Sequence, residues 1–257
     1  MKLLLLQTDI RWLAPDENRR RAAELIENAP PVDLIVLPEM FTTGFAVDPR
    51  GVAERAEGET FEWIREVAAH RNAAVAGSVA TEEGGRYYNR LYFVRPDGTF
   101  TKYDKRHLFS FAGEQLRYTA GSERVVVEWR EVRILLQVCY DLRFPVFARS
   151  RADYDMALYV ASWPTVRIHP WNTLLRARAI ENVCYVAGVN RTGTDPAASY
   201  SGGTAFVDFK GETLSAAEPN TEQAVVCELD PEALRAFRAK FPALTDADDF
   251  QLTTHER

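Results

Sequence analysis

Cys139 stands at the end of an apolar run, 134–138, and charge follows at once in Asp141 and Arg143. A core cysteine has apolar neighbours on both sides. This one sits where a strand ends and the chain turns, the place where open α/β sheets carry reactive groups. A free thiol has a pKa of about 8.5, so only a few per cent is thiolate at neutral pH. A nucleophilic Cys139 therefore needs a base or a positive charge beside it. Glu39 is one candidate, because it follows the apolar run 34–37 and Pro38. A carboxylate against an apolar strand end is partly desolvated, which suits a general base; a loop or helix cap is the competing reading. Lys105 lies between Tyr103 and Leu108 and can reach into a crevice to hold negative charge, although a solvated lysine is the commoner outcome. Glu114 reads on its own as a loop acid.

Histidine is the usual partner of a reactive thiol, and the chain has four: His70, His107, His169 and His255. His70 falls in a helical pattern and His255 in the polar tail, while His107 and His169 lack any papain-like context and read as structural hydrogen-bonding residues. No Cys, His, Asp and Glu cluster has metal-ligand spacing, so no metal is expected. Neither GxGxxG nor GxxxxGK[ST] occurs, so no phosphate-cradling loop is expected either. Cys184 and Cys227 lie within apolar runs and read as inert core.

The elements that must position these groups alternate. Strand-like runs fall at 3–7, 34–37, 73–79, 91–94, 125–129, 134–138, 157–161, 183–189, 204–209 and 224–229. Helical patterns lie between many of them: 18–28 with Ala22, Leu25 and Ile26 on one face, and a second helix capped by Thr60 with Phe61, Ile64, Val67 and Ala68 as its stripe. Pro170 opens a third that runs to about Asn182, and Asp230-Pro231 opens a last one ending near Pro242. Pro96-Asp97-Gly98 before the run 100–102 marks a hairpin. So many strands rarely stay in one open sheet, so the expectation is an α/β fold of two packed mixed β-sheets with helices outside. Polar groups follow four buried runs: Glu39, Cys139, Ser162-Trp163 and Asn190-Arg191. If those strands are parallel neighbours, their ends share a crevice.

Composition narrows the function classes. The chain has 257 residues, 46% hydrophobic and 26% charged, a soluble globular balance expected to form one domain, 1–257. A net charge of −6 with scattered basic residues argues against a nucleic-acid partner. Three dispersed cysteines make no disulfide framework, which fits a reducing cytoplasm. The opening run Met1–Leu6 is cut short by Gln7, Asp9 and Arg11 and reads as a first buried strand rather than a signal peptide. No apolar run approaches the roughly 20 residues that span a bilayer.

Three segments, Pro38-Glu39-Met40-Phe41, Tyr103-Asp104-Lys105-Arg106-His107-Leu108-Phe109 and Val138-Cys139-Tyr140-Asp141-Leu142-Arg143-Phe144-Pro145, resemble in order and spacing the signature segments of the nitrilase (carbon–nitrogen hydrolase) superfamily. The resemblance extends through Arg176–Asn182 and Gly202-Gly203-Thr204-Ala205, and is nearest to the omega-amidase branch. Phe41-Thr42-Thr43-Gly44-Phe45 and Phe241-Pro242-Ala243 support that placement.

That resemblance implies a four-layer αββα sandwich, a Glu39–Lys105–Cys139 triad, and Glu114 as the extra glutamate that orients substrate and triad. It implies hydrolysis of the ω-amide of a 2-oxo dicarboxylate through a thioester on Cys139. Lys105 and the Tyr140 N–H would hold the oxyanion, ammonia would leave, and no cofactor would take part. A homodimer pairing near 144–151 and the helix after Pro170 is also implied. A carboxylate-bearing substrate needs an anchor, for which Arg143, Arg167, Thr43 and Tyr140 are candidates; Phe45 and Trp163 are expected to line a small pocket. A competing expectation ties Arg143 to Asp141 or Glu181. The alternatives are another small amide, carbamoyl or nitrile hydrolase with the same triad, and a non-catalytic scaffold of the same fold.

Overall fold

The computed structural model describes residues 1–252, so His255 lies outside the described residues. Strands β1 (Lys2–Gln7), β2 (Leu34–Val36), β3 (Glu54–Arg55), β4 (Ala74–Glu83), β5 (Arg86–Val94) and β6 (Phe100–Asp104) belong to one sheet. A second sheet begins with β7 (Val126–Trp129), β8 (Val132–Val138), β9 (Met156–Ala161) and β10 (Tyr185–Asn190). A short ribbon follows, β11 (Thr192–Thr194) with β12 (Ser199–Ser201), before β13 (Ala205–Val207) and β14 (Thr213–Ala216) complete the second sheet. The last strand, β15 (Gln223–Glu228), returns to pair with β1 at the edge of the first.

Both sheets are mixed. In the first, β1, β2 and β4 run parallel while β5, β6 and β15 are antiparallel to their neighbours. In the second, β8, β9 and β10 are parallel, flanked by antiparallel β7 and β13. Strand alternation sorts the apolar residues into layers, because successive side chains point to opposite faces. Leu3, Leu5 and Val36 of one sheet pack with Leu136, Leu158 and Ala187 of the other. On the outer face of the first sheet, Leu4, Leu6 and Ile35 meet Ala22 and Ile26 of α1 (Pro15–Glu27) and Ile64 and Ala68 of α2 (Glu59–Arg71).

A short helix, α3 (Pro145–Ala148), follows the turn after β8, and the outer face of the second sheet is covered by α4 (Ile168–Asn182). There Leu135, Ala157 and Tyr159 pack on Trp171, Leu175 and Ala179. Gly188 in β10 makes this approach possible: a Cβ there would sit 2.5 Å from Leu175 Cδ1. The order is thus helix, sheet, sheet, helix. The final helix, α5 (Pro231–Lys240), has its N-terminal amides capped by the Asp230 side chain, and Leu234 joins the inter-sheet core.

Two local expectations are corrected. Thr60 lies inside the first turn of α2 rather than capping it; Gly58 occupies the cap, and Glu54 of β3 accepts from both the Thr60 amide and its hydroxyl. Proline tolerates any position in a first helical turn because its missing N–H has no partner there, and α4 accordingly begins two residues before Pro170.

Candidate active site

β8, β9 and β10 are parallel neighbours, whereas β2 lies in the facing sheet. The carboxyl ends of β2, β8 and β9 border one crevice, which is therefore built between two sheets rather than along one; Asn190 and Arg191 after β10 do not line it, and Asn190 instead holds Trp163 from behind. At its floor, β8 breaks into a single 3-10 turn, Cys139–Arg143. Cys139 has φ +46°, the left-handed region that side chains with a Cβ rarely adopt. This sharp turn presents the thiol to the crevice, and the first amides of the turn, including that of Tyr140, have no acceptor within it.

Glu39 enters from the other sheet at the end of β2, just before Met40, another left-handed residue at φ +44°. It is fully buried with Lys105 and Glu114. Lys105 Nζ donates to Glu39 Oε1 at 2.8 Å and to Glu114 Oε2 at 3.0 Å. The other Glu39 oxygen accepts from the Ser162 amide at 2.8 Å, and Glu114 Oε2 accepts from the Phe109 amide at 2.5 Å. Lys105 also lies 5.2 Å from the centre of the Phe45 ring.

These surroundings set the protonation states. Burial alone would lower the Lys105 ammonium, but the charges of Glu114 and Glu39 outweigh it and hold the group well above the usual lysine range. Burial raises the Glu114 carboxyl, and the Lys105 charge only partly opposes it. The Cys139 thiol is pushed well up by burial and then by the Glu39 charge, with Lys105 pulling the other way. Cys139 is therefore a neutral thiol at rest. Activation has to come from a base that takes its proton during attack, which is the position Glu39 occupies.

Above the thiol lies a cavity of about 260 Å³. Glu39, Phe45, Lys105, Cys139, Tyr140, Arg143, Trp163 and Arg167 all line it. Glu114 sits behind Lys105, outside the lining. Thr43 is a correction: it is buried, its hydroxyl donates to the Gly44 carbonyl, and it does not reach the cavity. Arg143 is a second, because neither expected partner takes it. Asp141 is occupied by the Tyr103 hydroxyl, the Val138 amide and the His107 backbone and ring, and Glu181 pairs with Arg178 at 2.9 Å. The Arg143 guanidinium instead lies over the Trp163 ring, 5.0 Å from its centre. Arg167 faces the rings of Phe109 and Phe111. His107, stacked on Phe144 at 3.9 Å, is the structural residue expected of it.

Three contributors escaped the sequence reading. Asn89 donates to Glu39 at 2.7 Å and to Glu114 at 3.2 Å; its only sequence signal is a polar residue inside a strand that is otherwise apolar toward its end. Asp141, fully buried, ties the Lys105 segment to the Cys139 turn. Tyr200, with Ala197 and Ala198, supplies a wall of the cavity from the β11–β12 ribbon. Among the described residues, no group of three or more His, Cys, Asp or Glu side chains could hold a metal ion. Nor is any helix among them long and apolar enough to cross a membrane.

A two-sheet α/β sandwich with a buried Glu–Lys–Glu cluster against a cysteine at a strained turn defines a hydrolase of carbon–nitrogen bonds. The chain belongs to the carbon–nitrogen hydrolase family, whose profile matches residues 3–239. It is 50% identical over 255 residues to the omega-amidase YafV of Yersinia enterocolitica, covering 98% of each chain. It is 35% identical to a 2-oxoglutaramate amidase of Bacillus subtilis, covering 94% of this chain and 95% of that one. Among solved structures, XC1258 from Xanthomonas campestris, a CN-hydrolase superfamily protein with an arsenic adduct in its active site, superposes with a TM-score of 0.95 at 45% identity. That match covers 98% of this chain and 99% of the other. The protein is an amidase of this family.

Proposed function

We propose that the substrate is the ω-amide of a small 2-oxo dicarboxylate, 2-oxoglutaramate or 2-oxosuccinamate, and that the products are the dicarboxylate and ammonia. The observation that carries this reading is Arg143, a guanidinium on the cavity wall above Cys139 that rests on an aromatic ring instead of a carboxylate. Such a group is available to a substrate carboxylate and matches its geometry. Arg167 is a second cation on the same wall. A cavity of about 260 Å³ is small beside the roughly 300–1,000 Å³ of drug-sized pockets, which favours a substrate of this size. The activities named for the Yersinia and Bacillus relatives support it further.

The reaction then runs through a thioester. Glu39 takes the Cys139 proton as the sulfur bonds to the amide carbon. The resulting oxyanion is held by the Lys105 ammonium and the Tyr140 N–H, donors of a kind whose loss costs about 100- to 1,000-fold in rate. Glu39 passes its proton to the nitrogen, the C–N bond breaks, and ammonia leaves. Water then loses a proton to Glu39 and attacks the thioester carbon; the sulfur departs and is reprotonated. Glu114 orients Lys105 and, through it, Glu39.

The same reading places one domain in the cytoplasm as a homodimer, with neither nucleic acid nor membrane as a partner. Exposed Val146 on α3 and Ile180 on α4 support pairing through that face, and the net charge of −6 supports the exclusion of nucleic acid.

Ammonia release from 2-oxoglutaramate, glutamine, a plain aliphatic amide and a nitrile, with wild type and Cys139→Ala, tests the proposal. Preference for the oxo-acid amide, abolished in the variant, is the expected result. Equal turnover of the neutral aliphatic amide would overturn the substrate assignment while leaving the amidase chemistry in place.

A further inference from the structure

Two carboxyl groups share one ammonium in this site, Lys105 between Glu39 and Glu114. Like charges at such a distance ordinarily force one carboxyl to stay protonated. Asn89 is the neutral group that touches both. Its amide nitrogen donates to Glu39 Oε1 at 2.7 Å and to Glu114 Oε1 at 3.2 Å, and the residue is fully buried in β5.

The orientation of that amide is fixed by a directed chain. Ser78 Oγ accepts from the Met40 amide at 2.9 Å, and its own proton goes to Asn89 Oδ1 at 2.9 Å. The carbonyl end of Asn89 is thus committed to Ser78 and both N–H bonds face the glutamates. The reverse orientation would aim a carbonyl oxygen at two carboxylates and leave Ser78 without an acceptor. Met40 directly follows Glu39, so the chain begins at the backbone beside the base and ends on the base's own carboxylate. Neither Asn89 nor Ser78 lines the cavity, and neither touches substrate.

We propose that Asn89, locked by Ser78, is a positioning residue that braces Glu39 against Glu114 and aims Glu39 at the Cys139 thiol. Hydrogen bonds to a charged form favour that form. An amide supplies them without adding positive charge, whereas lysine or arginine there would cancel the negative charge that the base needs. The inference rests on Glu39 acting as the base but not on which amide is the substrate.

The test uses Asn89→Ala, Asn89→Asp and Ser78→Ala in the full chain. Two readouts are followed against pH: amide hydrolysis, and alkylation of Cys139 by iodoacetamide, in which the sulfur displaces iodide and no assigned substrate is needed. Asn89→Ala is expected to lower kcat about 100-fold, the effect of misplacing a reactive group by about an ångström, with KM little changed. The acid limb of both profiles should move to higher pH, and further in Asn89→Asp, which adds a third acid. Ser78→Ala, which frees the amide to turn, should move the limb in the same direction by less. Folded variants whose alkylation and hydrolysis profiles match the wild type would overturn the proposal. So would loss of folding in all three, which would assign the chain to stability alone. If 2-oxoglutaramate proves a poor substrate but the alkylation limb still moves, the substrate assignment fails and the positioning role stands.

Discussion

Arg143 lies over the Trp163 ring, 5.0 Å from its centre, while both carboxylates nearest to it in sequence or helix are committed elsewhere. The pairing holds a planar cation against the cavity wall, where Arg178 secures the turn that carries it by donating to the Leu142 carbonyl at 2.6 Å. If Arg143 binds the substrate carboxylate, Arg143→Ala should lower kcat/KM for 2-oxoglutaramate by about 10- to 150-fold, the equivalent of about 1.5–3 kcal/mol for hydrogen bonds to a charged group. Turnover of a neutral amide should change far less. Arg143→Lys should rescue little, because an ammonium cannot form the two-pronged contact. Equal losses on both substrates would remove Arg143 from carboxylate recognition.

Among the described residues, Lys105 is the only cation between Glu39 and Glu114, and all three side chains are buried. Lys105→Met keeps most of the volume and strands two carboxylates. It should abolish turnover and also destabilise the fold by about 3–5 kcal/mol, as breaking a buried ion pair does. Denaturant unfolding of the variant at neutral pH measures the second effect; wild-type stability would mean that water reaches the cluster.

The three cysteines should differ sharply in reactivity. Burial pushes both Cys184 and Cys227 up to about 12, and neither borders the cavity. Cys139 is also a neutral thiol at rest, yet it opens on the cavity with Glu39 beside it. Limited iodoacetamide at pH 7 followed by peptide mapping should therefore find the label on Cys139 alone. Labelling of Cys227 at a comparable rate would show the inter-sheet core opening on that timescale.

Away from the site, Asp155 joins the second sheet to the last helix. It accepts from Arg133 at 2.8 and 3.0 Å and from Arg238 of α5 at 2.7 Å. Burial alone would raise its carboxyl, but these bonds outweigh burial and hold it below the usual aspartate range. A carboxyl lowered by folding stabilises the protein above its unfolded pKa of about 3.9 and loses that contribution as pH falls through the lower folded value. Asp155→Asn should thus cost about 1.5–3 kcal/mol at pH 7, a difference that closes as the pH is taken toward 2. A gap independent of pH would point to packing instead.

Much of this was legible because strand ends announce themselves. A buried run that stops at Glu39 or at Cys139 marks both the element and the group it delivers. Thr60 misled because a threonine before an apolar stripe looks like a cap, while the true partner, Glu54, comes from another strand. Asn89 and Asp141 were invisible for a related reason. Asn89 acts within the first sheet on a residue 50 positions away, and Asp141 acts across to the other sheet on residues 34–38 positions away; nothing in strand periodicity encodes which polar residue will meet which. The Arg143 expectation failed because Asp141 is already taken by Tyr103 and His107, and Glu181 by Arg178 one turn away in its own helix.

Because Glu39 arrives on one sheet and Cys139 on the other, no folding intermediate with a single sheet in place can assemble the base and the nucleophile. Catalytic competence in this chain is a report on sheet docking. In a refolding experiment, recovery of turnover should trail recovery of backbone circular dichroism and coincide with burial of the inter-sheet core. The enzyme thereby carries its own assay for the last step of its assembly.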